Sequence, residues 1–166
     1  MVNKNCEGKV PIFIKSDIEK SPVYHTLCQA HDLLKKQRIH IDQQKFHEAL
    51  NEIWKVVRDA NRTIDDAAPW KLRKTDPDAM GNVLYMFLEI IRHLAILLQP
   101  FMPNSSNLML DQISVGRDQR TFKYLHSGTQ EIFDANSLKV KTKLPNPRGI
   151  FPRYVEETNQ NTQEDK

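Results

Sequence analysis

A tryptophan that directly follows a proline, Pro69-Trp70, stands among four cationic residues, Arg62, Lys71, Arg73 and Lys74. An indole offers a wide π-face, the proline ring restricts the backbone that carries it, and guanidinium and ammonium groups attract phosphate. Together they can hold an unpaired base by stacking while the cations contact the sugar-phosphate chain. The same residues have a second reading, in which Trp70 plugs a gap between two helices and the cations are a solvated surface. Lys55, Arg58 and Arg62 are spaced three and four apart. A helix would place them on one face, away from its apolar stripe. That face reads equally as a phosphate contact or as ordinary charged surface.

Other chemistry finds little support. The five glycines are scattered singly, so no phosphate-cradling loop is present. Six histidines occur, and His40 and His47 are seven apart, but neither has an obvious carboxylate partner. Cys6 and Cys28 form no CxxC pair and no zinc-finger spacing, and the spacing predicts free thiols. No Ser/His/Asp set is selected by position. Neither a metal site nor a catalytic residue is therefore expected in this chain. The formal net charge of +3 is too small to argue for a polyanionic partner by itself. The N-terminus has no apolar export signal. The most apolar stretch, 83–98, is interrupted by Glu89, Arg92 and His93 and is short for a membrane span. A cytoplasmic protein is expected, with neither a membrane nor DNA as partner.

The elements that must position these residues follow from hydrophobic period. Tyr24, Leu27, Cys28, His31 and Leu34 recur at helical spacing, which predicts a helix over about 17–37 with Pro22 early in it. Asp42 is a candidate N-cap for a second helix, whose stripe is Phe46, Ala49, Leu50, Ile53, Val57 and Ala60. Pro69 breaks residues 63–75 and leaves Trp70 on a loop. Thr75 or Asp76 caps a third helix with a wide stripe from Met80 to Leu98, which predicts a central, buried helix. Pro100 and Pro103 end it, and a shorter fourth helix holds Met109, Leu110 and Ile113. The fold class is all-α, an antiparallel helix bundle with an irregular C-terminal tail. The bundle spans 1–115. Residues 116–155 lose the helical period and suggest extended segments lying on it, including Ile132-Phe133, and 156–166 are polar and expected to be disordered.

The run Asn61-Arg-Thr-Ile-Asp-Asp-Ala-Ala-Pro-Trp70 resembles the Asn-x-Tyr-x(5)-Pro-Trp signature of the class Ia aminoacyl-tRNA synthetase anticodon-binding bundle. Flanking pieces resemble the methionyl family in particular. They are Phe46-His-Glu-Ala-Leu-Asn-Glu-Ile-Trp54, the helix over 83–98, Gln99-Pro-Phe-Met-Pro103, the lead-in from Val2 to Pro11, and Ile150-Phe-Pro-Arg153. The resemblance implies that this chain recognises the CAU anticodon of methionine tRNA, with Trp70 on the first anticodon base. It implies that Asp65 is the acidic position of the same loop, where a carboxylate repels wrongly placed phosphates, and that Asn61 orders the helix end. Thr63 stands where the pattern has tyrosine, which removes a ring and its hydroxyl. Lys55, Arg58, Arg62, Lys71, Arg73 and Lys74 are the expected phosphate contacts. The family's His-Ile-Gly-His and Lys-Met-Ser-Lys-Ser motifs do not occur in this sequence, so ATP and zinc would belong to a catalytic domain outside it. The resemblance also places a first helix of the bundle upstream of residue 1, and the 116–155 extension against the catalytic domain. Two alternatives stand beside this reading: the bundle of another class Ia synthetase, and a helical protein-interaction module.

Overall fold

Four of the helices start on a proline. In the computed structural model, which describes residues 1–14, 18–125 and 135–151, Pro22 opens α2 (Pro22–Asp42), Pro69 opens α4 (Pro69–Thr75), Pro77 opens α5 (Pro77–Leu98) and Pro103 opens α6 (Pro103–Gln112). The first position of a helix has an unused N–H in any case and a φ that proline already holds. Two of these starts also have side-chain caps. Ser21 Oγ accepts from Val23 N at 3.3 Å, and Asp76 Oδ1 accepts from Ala79 N at 2.9 Å. The remaining helices are α1 (Val2–Asn5), a single turn, and α3 (Phe46–Ala67).

Two sequence expectations are corrected. Asp42 is no N-cap: α2 runs through it, and the chain reverses at Gln44, whose φ is 58°. The N-cap position of α3 is Lys45, which makes no side-chain capping bond. Residues 63–75 are also helical. α3 continues to Ala67, Ala68 takes a left-handed conformation (φ 40°, ψ 58°), and Pro69 starts α4 at once. A proline that ends one helix here begins the next, so Trp70 lies on the first turn of a helix and not on a loop.

α5 is the centre of the bundle, as its wide stripe predicts. Sixteen of its 22 residues are buried, including Glu89, Arg92 and His93. It packs against α2, α3, α4 and α6, and α2 packs along α3. It is also long and apolar enough to cross a membrane by length and composition, but its apolar surface is spent inside the bundle. The buried charges are matched. Arg92 Nε donates to Glu89 Oε2 at 2.8 Å, and Arg92 Nη1 donates to the Tyr124 carbonyl at 2.9 Å. The imidazole rings of His31 on α2 and His93 on α5 stack with centroids 4.3 Å apart.

The described part of the extension contains no strand; it has two 3₁₀ turns, Arg117–Gln119 and Phe122–Tyr124, and one antiparallel bridge, Lys9 to Lys143. It lies on the bundle through polar anchors. Tyr85 Oη donates to the Leu138 carbonyl at 2.8 Å, and the amide of Leu138 donates to Glu89 Oε1. Arg120 Nη2 reaches Asp111 Oδ1, and Arg120 Nε donates to the Val115 carbonyl at 3.1 Å. The Ile132-Phe133 pair, Pro152-Arg153 and the tail 156–166 lie outside the described residues.

Candidate nucleic-acid interface

The short helix α4 turns one side inward and the other outward. Pro69 is buried, and Leu72 packs against the core. Trp70, Arg73 and Lys74 stand at i, i+3 and i+4, so one helical face carries all three, and all three are exposed. Lys71 is exposed beside them. The indole is 48% exposed, too open for a plug between two helices. Arg73 and Lys74 have a local reason to be cationic, because they occupy the last turn of α4, where carbonyl dipoles point outward. Lys71, near the N-terminal end of the helix, has no such reason.

The mount of this tryptophan is stiff. Ala68 donates its N–H to the Ile64 carbonyl at 3.0 Å, closing α3, and is itself buried. The left-handed conformation of a non-glycine residue costs about 1 kcal/mol or more and persists only where packing fixes it. Just before it, Asp65 and Asp66 are both exposed in the last turn of α3, the helix end where a negative charge is least favoured. Two carboxylates thus precede Trp70 by five and four residues, and four cations, Arg62 included, lie around it in sequence. Arg62 is tied to Asp59 at 3.3 Å, while Lys55 and Arg58 are exposed further back along the same helix.

Asn61 and Thr63 depart from their expected roles. Asn61 sits well inside α3, exposed, and its side chain makes no hydrogen bond among the described residues, so it does not order the helix end. Thr63 is buried, and its hydroxyl pairs with that of Thr26 on α2 at 3.1 Å. The tyrosine missing from the signature is thus replaced by a buried hydroxyl pair that ties α2 to α3.

Sequence reasoning missed one surface. Trp54, placed beside the apolar stripe of α3, is 39% exposed, and so is Ile91, at 38%, in a stretch of α5 whose neighbours are all buried. Both line an apolar groove of about 340 Å³ with Val57, Ile64, Leu94, Leu98, Met102 and Met109. A second hollow shares Ile91 and Met109 with it and is lined also by Met1, Val2 and Leu144. No pattern could have revealed this, because a covered and an uncovered isoleucine are the same letter. Among the described residues no three His, Cys, Asp or Glu side chains are grouped to hold a metal ion, and Cys6 and Cys28 are free. Burial pushes both thiols up from their ordinary range.

Known proteins resemble this chain over most of its length. Residues 20–164 match the family model described as the anticodon binding domain of methionyl tRNA ligase. The chain is 42% identical over 164 residues to a methionine–tRNA ligase of Brucella suis, covering 97% of this chain and 29% of that protein. It is 38% identical over 153 residues to a methionine–tRNA ligase of Rickettsia felis, covering 92% and 28%. Its fold matches the free-state crystal structure of Mycobacterium tuberculosis methionyl-tRNA synthetase with a TM-score of 0.80 at 34% identity, over 93% of this chain and 30% of that one. The chain thus spans less than a third of the length of each of these relatives.

Proposed function

The chain belongs to the family of anticodon-binding domains of methionyl-tRNA ligases, and from that premise we propose that it recognises the CAU anticodon of methionine tRNA through Trp70. The observation that carries this is the outward face of α4, an exposed indole with Arg73 and Lys74 on the same side and a buried proline beneath. Trp70 stacks on the first anticodon base, an interaction that any π-face can make but that only an unpaired, splayed base can accept. Lys71, Arg73 and Lys74 take the flanking phosphates, and Lys55, Arg58 and Arg62 extend that contact along α3. Asp65, unfavourable where it stands in the helix, disfavours a phosphate displaced toward α3.

Stacking strength gives only a modest preference among bases at the first anticodon position, and the edges of the anticodon bases are read by groups outside this chain. The groove at Trp54 and Ile91 supports the same division. We place over it an apolar segment of the longer ligase, since this chain spans less than a third of its relatives' length and the groove is lined almost wholly by apolar side chains. Joining methionine to tRNA, with its ATP and zinc, belongs in this reading to the part of the ligase that the chain does not span, and the apolar end of the 116–155 extension, at Ile150 and Phe151, packs against that part. The whole protein is then cytoplasmic, working where tRNA is charged.

The test is filter binding of the chain to methionine tRNA and to the same tRNA with its first anticodon base changed. Tighter binding of the unaltered tRNA, lost in Trp70→Ala, is expected. Equal binding of both by the parent chain, unaffected by Trp70→Ala, would sink the proposal.

A further inference from the structure

Residues 135–151 carry four cations, Lys139, Lys141, Lys143 and Arg148, and no aspartate or glutamate. The formal net charge of the whole chain is +3, so the rest of the protein is slightly acidic in sum. Positive charge is concentrated here, away from the Trp70 face. The geometry points to 139–143 as a second RNA-contacting surface, one that binds phosphates of the tRNA without reading bases. It rests on the reading of the chain as a tRNA-binding domain.

These lysines are presented, not trailing. The Lys141 amide donates to the Val10 carbonyl at 2.8 Å, the Val10 amide donates to the Thr142 carbonyl at 2.8 Å, and the Leu144 amide donates to the Gly8 carbonyl at 2.7 Å. Ser114 Oγ donates to the Lys143 carbonyl at 2.8 Å. With the backbone pinned on both sides, Lys139, Lys141 and Lys143 all remain exposed. None of the three has an ion-pair partner among the described residues, whereas several other surface lysines and arginines do.

The local arrangement is also one that folding alone disfavours. The bridge sets Lys9 directly across from Lys143, and like charges opposite each other on paired strands repel. Lys9 is offset only by Glu7 at 2.9 Å, an exposed pair that water and salt screen. Lys141 adopts a left-handed φ of 63°, rare for a side chain with a Cβ. A segment that gathers like charges in a strained backbone is using local stability for something else. A polyanion supplies the missing countercharge, and each phosphate neutralised releases a condensed cation.

Position links the two surfaces. Lys9 and Lys141 line a hollow of about 330 Å³ with Pro77, Asp78 and Gly81, at the start of α5. Only Asp76 separates the end of helix α4, which carries Trp70, from that start. The carboxylates lining the hollow are Glu7 and Asp78, beside Lys9 and Lys141. The start of α5 therefore adjoins both surfaces, Lys141 across the hollow and α4 across Asp76.

The experiment measures binding of the 166-residue chain to methionine tRNA as a function of salt, for the parent, for Lys139→Gln/Lys141→Gln/Lys143→Gln, and for Trp70→Ala. Each phosphate contact contributes roughly 0.7–0.9 to the slope of log affinity on log salt. The triple glutamine variant is expected to lower that slope by about two to three, equally for tRNAs of either anticodon. Trp70→Ala is expected to leave the slope in place and abolish the preference between anticodons, so the two readings fail separately. A triple arginine variant at the same positions controls for folding and should restore the parent slope. A parent slope in the glutamine variant, loss of binding in both triple variants, or no binding of tRNA by the parent chain at low salt overturns the inference. So does a glutamine variant that binds tRNA normally but no longer binds an acidic face of the remaining ligase.

Discussion

The two tryptophans are almost equally exposed, at 48% for Trp70 and 39% for Trp54, yet their surroundings are opposite. Trp70 follows a buried proline at the start of α4, with Arg73 and Lys74 exposed on the same helical face. Trp54 lies in a groove of Val57, Leu98, Met102 and Met109. Exposure of an aromatic ring therefore does not define a site. A ring ringed by charge offers its face to something polar and flat, while a ring in an apolar trough awaits another hydrophobic segment.

The largest effect should come from neither surface. Glu89→Gln removes half of a buried ion pair and leaves Arg92 uncompensated, which typically costs about 3–5 kcal/mol. Thermal unfolding should show that loss, and it sets the scale for true interior damage. Trp70→Ala comes next. It should weaken anticodon-dependent binding roughly tenfold to a hundredfold, about 1–3 kcal/mol, with an unfolding midpoint close to that of the parent. If its midpoint falls as far as that of Glu89→Gln while tRNA binding survives, the two tryptophans have been assigned the wrong way round. Trp54→Ala should do the reverse, leaving tRNA affinity unchanged. A fully buried tryptophan loses about 3–5 kcal/mol on truncation, and this half-covered one should lose about 1–2 kcal/mol by denaturant titration. The smallest effect is expected for Ile91→Lys, within about 0.5 kcal/mol of the parent in stability. Its signature lies elsewhere: if the groove drives association of the chain, analytical ultracentrifugation should find the variant more monomeric at high concentration. Identical sedimentation of parent and variant would mean that the trough is not sticky.

How much of this was legible in the sequence depended on the kind of signal. Apolar period located α2, α3, α5 and α6 and identified α5 as the central helix, because a stripe running from Met80 to Leu98 can only be satisfied from several sides. Proline was read in one sense only. Pro69 reads as a breaker and hides α4, since the residue that ends a helix also fits the first position of another. Asp42 has the chemistry of a cap, but the cap lies where the turn at Gln44 falls, and that turn uses no glycine or asparagine. The Pro-Trp pair and its cations marked the candidate site. The groove stayed hidden because whether Ile91 and Trp54 are covered depends on which other segments pack there, and no residue of α3 or α5 encodes that.

The Thr26–Thr63 hydroxyl pair has a consequence for how such domains diverge. Where the signature carries tyrosine at position 63, the ring requires volume that Thr26 and its helix occupy here. Either position changed alone meets a penalty: Thr63→Tyr overpacks the α2–α3 seam, and Thr26→Gly leaves the Thr63 hydroxyl buried without a partner. The two sites can drift only as a couple. The double variant Thr63→Tyr/Thr26→Gly should therefore be more stable than the sum of its single changes allows, and lineages that exchanged the tyrosine should show the matching exchange on α2.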